Sequence, residues 1–268
     1  MTETLESSGF QTIATTVVTK TQIGSDIVLP KWARQIVSIK PIIAVDIPTT
    51  AEGVLTKYSI ESDDIAGLNP FEVLGTPIGP GLGAQFETYQ EKPEVYYVGC
   101  PAQGGERIRA YCQVLVSSTS AVMVAMEIRI SDQPPQYPQR HAKIGTATLT
   151  GAVAATDVQG TAYQIVGGNR IVELQAIFSH VTPAAASSVI GYFKYTSSEF
   201  EKSMPVKMHM NPVPSVLGAA PTISTVNHGV NRNVVDIGIS PNTTIQDYFY
   251  MGLAPTIQGY FVTGVIYQ

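Results

Sequence analysis

Hydrophobic and polar positions alternate in the same way in two stretches about half a chain apart. Residues 34–54 read RQIVSIKPIIAVDIPTTAEGV, and residues 170–189 read RIVELQAIFSHVTPAAASSV. With one residue deleted after Arg34, Val37 aligns with Val172, 135 positions further on. This period of two is typical of a β-strand that buries one face. The pattern therefore predicts one β-module used twice.

The correspondence extends to polar positions and to the neighbouring strands. Ser38 aligns with Glu173 and Lys40 with Gln175, which places polar residues on the outer face of both long strands. A proline-containing loop then leads to a second predicted strand in each copy, at 54–60 and 189–195. The last strands, 121–131 and 258–268, match at an offset of 137.

These patterns predict an all-β fold of two tandem antiparallel β-sandwiches related by internal duplication. We expect an N-terminal arm at 1–8, a first sandwich at 9–131, a Pro-rich linker at 132–144 and a second sandwich at 145–268. Each module would contain about eight strands in roughly 120 residues, which is the size and strand density of a β-sandwich.

Composition narrows the class of protein. Charged residues make up 14% of the chain, against roughly a quarter in a typical soluble domain. A surface with so few charges favours a subunit that is covered by its neighbours. The net charge is −5 and no basic block occurs, so we expect no direct binding of nucleic acid, which needs clustered Lys and Arg.

No targeting or membrane-spanning segment is predicted. Residues 1–9 contain no basic residue and no apolar core of a secretory signal. The longest clear apolar run, 121–126, is far too short to cross a bilayer. We therefore expect a soluble chain made in the cytoplasm.

Catalytic motifs are missing from the sequence. There is no Gly-x-Ser-x-Gly elbow and no Cys/His spacing typical of a zinc site. The histidines are spread over the predicted linker (His141), a strand end (His180), a loop boundary (His209) and a turn (His228). Surface or hydrogen-bonded structural roles are favoured for them. We expect no enzyme activity, no catalytic residue and no cofactor, although residues distant in sequence could still form a composite site.

One dense carboxylate group is the single metal candidate. Glu61, Asp63 and Asp64 follow a predicted strand and could together hold a calcium ion, because hard cations prefer clustered oxygens. The alternative interpretation is a solvated loop.

The two cysteines do not indicate a disulfide. Cys100 and Cys112 lie on successive predicted strands joined by a turn near Gln103. In a hairpin closed there, Cys100 would face a residue near Arg107, away from Cys112. We predict two buried free thiols.

Three further motifs have ordinary interpretations. The glycines at 79–83 lack the Lys-Ser/Thr pair of a phosphate-binding loop and predict a flexible loop. Asn242 opens a formal glycosylation sequon, which we expect to be unused without a secretion signal. Trp32 and the 13 tyrosines could line a sugar-binding face, but such residues more often fill cores and interfaces.

Taken together, the chain resembles the double jelly-roll major capsid proteins of tailless icosahedral viruses. The resemblance rests on two tandem sandwiches, a short arm, a Pro-rich connector and the lack of enzymatic motifs, over nearly the whole chain. It implies homotrimers that tile an icosahedral shell as pseudo-hexagons, in a virion, with minor capsid or vertex proteins as partners and an underlying lipid membrane as a possible one. Loops 65–90 and 211–222 would form towers or contacts between subunits.

A second class of protein fits the same pattern. A virion-attached or extracellular binding module, such as a fibre or a receptor- or glycan-binding protein, can also consist of tandem β-sandwiches. A filament or surface-layer subunit and an enzyme are weaker alternatives. Strand count and spacing do not separate jelly-roll from immunoglobulin-like connectivity.

Overall fold

The computed structural model describes residues 2–14, 18–45, 55–68, 70–75, 94–116, 122–150, 155–180, 190–200, 205–210, 230–252 and 259–268. Within these ranges every regular element is a strand, and none is a helix long and apolar enough to span a membrane. The chain is therefore all-β where it is described, as predicted.

Among the described residues, each half of the chain contributes ten strand segments. Module 1 comprises β1 (Glu3–Ser7), β2 (Gln11–Ile13), β3 (Lys20–Gln22), β4 (Ile27–Val28), β5 (Gln35–Val45), β6 (Thr56–Glu61), β7 (Phe71–Leu74), β8 (Tyr96–Pro101), β9 (Arg107–Val114) and β10 (Val122–Ser131). Module 2 comprises β11 (His141–Ile144), β12 (Thr148–Leu149), β13 (Asp157–Gln159), β14 (Tyr163–Gln164), β15 (Arg170–His180), β16 (Gly191–Thr196), β17 (Val206–His209), β18 (Asn231–Gly238), β19 (Thr244–Met251) and β20 (Gly259–Tyr267).

The two modules have the same strand order. In module 1 the antiparallel sheets run β1-β10-β5-β8 and β3-β9-β6-β7, with β2 also on β10 and β4 also on β9. Module 2 repeats this as β11-β20-β15-β18 and β13-β19-β16-β17, with β12 on β20 and β14 on β19. In module 1, β1 and β2 are two segments of one interrupted strand, as are β3 and β4; in module 2 the same holds for β11 and β12 and for β13 and β14. Each module then has eight strand positions. The first pairs with the eighth, the second with the seventh, the third with the sixth and the fourth with the fifth.

Pairing registers define which residues of the modules are equivalent. Ile39 pairs with Ile128 in module 1, and Leu174 pairs with Val265 in module 2. Equivalent residues thus lie 135 positions apart in β5 to β7 (39 and 174) and 137 apart in β1, β2 and β8 to β10 (128 and 265).

The long strands share an irregularity that supports duplication. The ladder of β5 shifts between Ile36 and Ser38, and that of β15 shifts between Ile171 and Glu173. Each shift skips one residue, Val37 or Val172, and these are equivalent positions. A β-bulge disrupts the regular ladder and bends its strand. Its recurrence at equivalent residues of β5 and β15 therefore supports the duplication of one module. One detail of the predicted alignment was wrong: the registers match Gln35 with Arg170, so no deletion after Arg34 is needed.

Alternation along the strands builds a core in each module. The burial pattern of β9 and of β19 is strictly alternating, with every second side chain buried. In module 1 the inward residues of β5 are Ile36, Ile39 and Ile43. In module 2 aromatic rings fill the centre, where Phe249 stacks on Phe178 at 4.9 Å and on Phe261 at 5.7 Å.

Three segments lie in sheets although the sequence pattern placed them outside. Residues 3–7, expected within the arm, form β1, whose Glu3 is paired with Arg129 of β10. Residues 141–144, expected within the linker, form β11 on β20. Phe71–Leu74, expected within the loop at 65–90, forms β7, in which all four residues are buried. Both β1 and β11 are edge strands and β7 is short, so none has the long alternating pattern that marks a strand in sequence.

The remaining linker closes one edge of module 1. Arg140 N–H donates to the Val98 carbonyl at 2.8 Å, along the free side of β8. The Tyr137 ring packs edge-on against Tyr97 at 6.1 Å, and the Arg140 guanidinium lies over Tyr97 at 5.1 Å. An open sheet edge invites pairing with other chains, and here the connector occupies it.

Candidate functional site at the contact between the modules

The modules meet through the face of β15 that its sequence pattern assigns to solvent. Beyond the bulge, Leu174 and Ala176 point into the core of module 2. Glu173 and Gln175 lie on the opposite face and are nevertheless buried. The expectation that this polar face is solvated was therefore wrong. Module 1, about a hundred residues away in sequence, covers it.

An apolar cluster forms the centre of this contact. Leu55 and Leu74 of module 1 pack with four residues of module 2, namely Ile144, Ile177, Val230 and Val262, and all six are buried. Removal of such side chains from water is the main favourable term in association. The described parts of the modules are thus joined by a continuous hydrophobic contact and not only by the linker.

Glu72 is the polar centre of the contact. It lies on β7 and points away from its own core. Its Oε1 is 3.0 Å from Lys57 Nζ in module 1, and its Oε2 is 3.1 Å from Lys143 Nζ in module 2. Oε2 also accepts the Ile144 N–H at 3.1 Å. Burial alone raises the pKa of Glu72, but Lys57, Lys143 and this N–H outweigh it and hold the pKa below its usual value. The carboxylate therefore stays ionised and links the two modules.

A second polar link fixes the backbone of β7. Leu74 N–H donates to Gln175 Oε1 at 3.3 Å, and the Leu74 carbonyl accepts from the Tyr96 hydroxyl at 2.9 Å. The Gln175 carbonyl accepts from the Tyr195 hydroxyl at 2.7 Å. An edge strand leaves backbone groups without ladder partners. The Leu74 N–H is thus satisfied across the module contact by Gln175, and the Leu74 carbonyl is satisfied within module 1 by Tyr96.

Arg232 holds the same contact at the edge of β18. Its Nε and Nη2 donate to the two oxygens of Glu173 at 2.6 and 2.9 Å, and its Nη1 donates to Glu94 of module 1 at 2.5 Å. The guanidinium also lies 4.4 Å from the centre of the Tyr96 ring. Burial lowers the pKa of Arg232, but the hydrogen bonds and charge of Glu173 raise it by more, so the cation persists. This forked geometry is specific to Arg.

A different buried carboxyl lies inside module 2. Asp247 is on an inward position of β19 and has no exposed surface. Its Oδ2 accepts from Thr263 Oγ1 at 2.6 Å, and that hydroxyl is 3.3 Å from the Tyr163 hydroxyl. Asp247 Oδ1 has no hydrogen-bond partner. Burial raises the pKa of Asp247 to about 6, against the opposing hydrogen bond from Thr263.

Module 1 has an apolar core at the same place. The positions equivalent to Asp247 and Thr263 are Ala110 and Met126, and both are buried in the hydrophobic core. Ile27, which pairs with Ile108, corresponds to Tyr163, which pairs with Ile245. The two copies of the fold therefore differ in the chemistry of their interiors, and only module 2 contains a titratable group at this site.

The predicted calcium site is not assembled. Glu61 is paired with Lys20, and Asp63 with Arg109. Asp64 Oδ2 instead accepts the Arg107 N–H at 3.0 Å. The three carboxylates thus have three separate partners. Across the described ranges, no group of three or more His, Cys, Asp or Glu side chains is placed to hold a metal ion.

The histidines are dispersed. His141 lies in β11 and not in a linker, stacked on Tyr267 at 5.4 Å, and burial lowers its pKa. His209 ends β17 with its ring edge-on to Tyr192 at 5.8 Å. His180 is the last residue of β15, as predicted. His228 lies outside the described residues.

Both cysteines are free and buried, as predicted, but the hairpin used to predict this was wrong. Cys100 is in β8, which pairs with β5, and Cys112 is in β9, which pairs with β6. The cysteines therefore lie in opposite sheets. Burial raises the pKa of Cys100 to about 11 and that of Cys112 to about 12.

The remaining candidates are surface or core features. Trp32 packs on the core of module 1. Asn242 is exposed in the turn before β19 with a φ of 62°, a conformation that Asn tolerates. The glycines at 79–83 and the loop at 211–222 lie outside the described residues, as does most of the loop at 65–90.

Sequence reasoning missed Glu72, Arg232 and Asp247. One of the three carried a usable signal. The inward set of β19 is Ile245, Asp247, Phe249 and Met251, and a carboxylate in an otherwise apolar alternation marks a buried acid. Glu72 and Arg232 carried none, because each is held in part by a residue of the other module, Lys143 for Glu72 and Glu94 for Arg232.

The solved structures that are similar to this chain include two weak neighbours. No protein-family model matches the chain, and no curated protein matches it. A T=1 nodavirus of Penaeus vannamei is similar at 12% identity and a TM-score of 0.22, over 88% of this chain and 83% of that one. The tandem CBM22-1-CBM22-2 domain of Xyn10C from Paenibacillus barcinonensis is similar at 11% identity and a TM-score of 0.22, over 96% and 93%. Likenesses this low do not distinguish between functions.

Proposed function

We propose that this chain is a double jelly-roll major capsid subunit of a tailless icosahedral virus. The observation that carries the proposal is the strand order, which pairs positions one to eight, two to seven, three to six and four to five in both modules. This order is the one expected of an eight-stranded jelly roll, a fold found in viral capsid domains and also in lectin domains and cupins. An immunoglobulin-like sandwich instead has sheets of strands ABED and CFG, an order that neither module follows.

The contact between the modules supports a mechanical role. Glu72, Arg232 and the six apolar residues of the contact make two sandwiches into one broad unit. Three such units around a three-fold axis present six sandwiches, which can cover a facet as a pseudo-hexagon. In this proposal the chain has no catalytic task. Its sandwiches supply rigidity, and its surfaces with few charges are buried between subunits.

The proposed location is the virion, after synthesis in the host cytoplasm. Minor capsid or vertex proteins would be partners, and a lipid membrane could lie beneath the shell. The net charge of −5 argues against a shell that grips nucleic acid directly, since such contacts depend on Lys and Arg.

Electron microscopy of the purified protein tests this proposal. Negative-stain images at increasing concentration should show six-lobed tiles, sheets or closed shells. Single two-lobed particles at every concentration and ionic strength would refute self-assembly. If those particles also bound carbohydrate on a glycan array, the alternative role as a binding module would take its place.

A further inference from the structure

Each module has exposed apolar side chains at positions whose equivalents in the other module are buried or partly buried. Leu5 is 60% exposed, Phe10 72% and Met123 42%, all on the β1/β2 and β10 side of module 1. Ile190, before β16 of module 2, is 45% exposed. All four thus keep a large part of their apolar surface open in the part of the chain that the structure describes. Their equivalents in the duplicated module lie in or against hydrophobic clusters that span the module contact.

On module 1, the equivalence identifies an outer face. Leu5 pairs with Arg129, and its equivalent Ala142 pairs with Ile266; both residues of the latter pair are buried in the core cluster of module 1. Met123 and Phe10 correspond to Tyr260 and Ala147, which pack on the central apolar cluster of the module contact. The face of module 1 formed by Leu5, Phe10 and Met123, with Glu6 on the β1 edge beside it, is here called the outer face. It is thus the counterpart of the surface that module 2 offers to module 1.

On module 2, the equivalence identifies a free edge. Ile190, whose carbonyl accepts the Gly252 N–H, corresponds to Leu55, whose carbonyl accepts the Leu115 N–H. Leu55 is buried in the module contact. Lys207 on β17 corresponds to Glu72 on β7. Ile190 and Lys207, here called the free edge, are thus the counterpart of the edge with which module 1 holds module 2.

The charges at the two surfaces are complementary and reversed. Within the chain, Glu72 of the edge meets Lys143 of the face. The equivalent of Glu72 is Lys207, and the equivalent of Lys143, which pairs with Val265, is Glu6, which pairs with Ile128. An acid and a base have therefore exchanged places. Lys207 lies exposed, 4.7 Å from the centre of the Tyr192 ring.

We propose that the free edge of one copy binds the outer face of a second copy, in a head-to-tail contact that repeats the contact between modules 1 and 2, with Lys207 beside Glu6. The inference rests on the proposed function and names the surfaces of that assembly. Because the contact is heterologous, each copy still has one unused surface, and association continues until a ring closes. A ring of three copies would contain six similar contacts, three within chains and three between them.

Charge reversal tests the pair. Like charges placed together at an interface are strongly unfavourable, so Glu6→Lys and Lys207→Glu should each weaken self-association roughly tenfold or more in sedimentation velocity. The double variant restores an opposite-charge pair in every contact and should return to within a few-fold of the wild type. Asp63→Lys, an equal change of charge on an exposed residue away from both surfaces, serves as the control and should leave association unchanged.

Cross-linking provides a second readout, which reports directly whether positions 6 and 207 of different chains lie close together. A Glu6→Cys, Lys207→Cys chain treated with a short bis-maleimide should form links between chains and give a covalent trimer as the largest abundant product. Cys100 and Cys112 are buried and should not compete.

Two negative results are distinguishable. If the wild type self-associates, but neither single charge reversal weakens it and the cysteine pair gives no link between chains, the surfaces are wrong while the capsid role stands. If the wild type stays monomeric at all concentrations and the cysteine pair gives no link, both proposals fail.

Discussion

The buried carboxyl of Asp247 should make module 2 less stable as the pH rises. Its pKa is raised from 3.8 to about 6 in the folded chain. Because the pKa of the Asp247 carboxyl is higher in the folded chain than in the unfolded chain, the folded chain binds this proton more tightly. The resulting stability is fully present below about pH 4 and is lost as the pH rises through 6. At about 1.4 kcal/mol per pKa unit, ionisation costs roughly 3 kcal/mol above pH 7. About half of this cost, near 1.5 kcal/mol, develops between pH 5 and 7.5.

The titratable groups around Asp247 do not compensate for this loss. Tyr163 and Tyr195 face it from β14 and β16, and burial raises the pKa of both, so they stay neutral in this range. Among the described residues, no ion pair involves Asp247. Glu72, with its lowered pKa, contributes stability that is lost only on acidification, outside the window of pH 5 to 7.5.

Urea titrations of the wild type and of Asp247→Asn, followed by circular dichroism at several pH values, measure the effect. The unfolding free energy of the wild type should fall relative to that of the variant by about 1.5 kcal/mol between pH 5 and 7.5. Asp236→Asn, at an exposed residue of β18, controls for loss of a carboxylate and should follow the wild type. Parallel pH curves for the wild type and Asp247→Asn would refute the assigned pKa and the burial that causes it.

Three other changes test the module contact and the core. Glu72→Gln should lower the unfolding free energy measured in urea by about 2 kcal/mol. This is less than the loss expected for a fully buried ion pair, because Lys143 is partly exposed. An unchanged unfolding free energy would show that Glu72 does not hold the two lysines. Arg232→Ala leaves the Glu173 carboxylate buried and should cost about 3 to 5 kcal/mol, whereas Arg232→Lys, which keeps the charge but not the fork, should cost less; equal losses would contradict this account. Cys100 and Cys112 should react with a thiol reagent only after unfolding, and rapid reaction of the native chain would contradict their burial.

The sequence was sufficient to predict elements that depend on local alternation. The long strands β5 and β15, their common offset and the closing strands β10 and β20 were all visible, because an inward apolar face repeats at every second residue. The edge strand β1 could not be predicted in this way, because all five of its residues are partly or fully exposed. Its backbone pairing with β10 leaves no hydrophobic pattern in the sequence. Pairing between strands distant in sequence cannot be read from periodicity.

The candidate site was largely beyond sequence reasoning for a related reason. Glu173 and Gln175 have the pattern of a solvated face, and only the approach of module 1 buries them. A second layer packed on a sheet converts its polar face into an interface without changing its alternation. The three carboxylates of the calcium candidate have separate partners, because side chains that are close in sequence project in different directions once the strand ends.

The native mass of the purified protein, measured by light scattering over a range of protein and salt concentrations, tests the central claim most directly. A subunit that tiles a shell should give a species of three times the 28.7 kDa chain mass, which grows into larger assemblies as concentration rises. A constant mass of 28.7 kDa under all conditions would contradict the account.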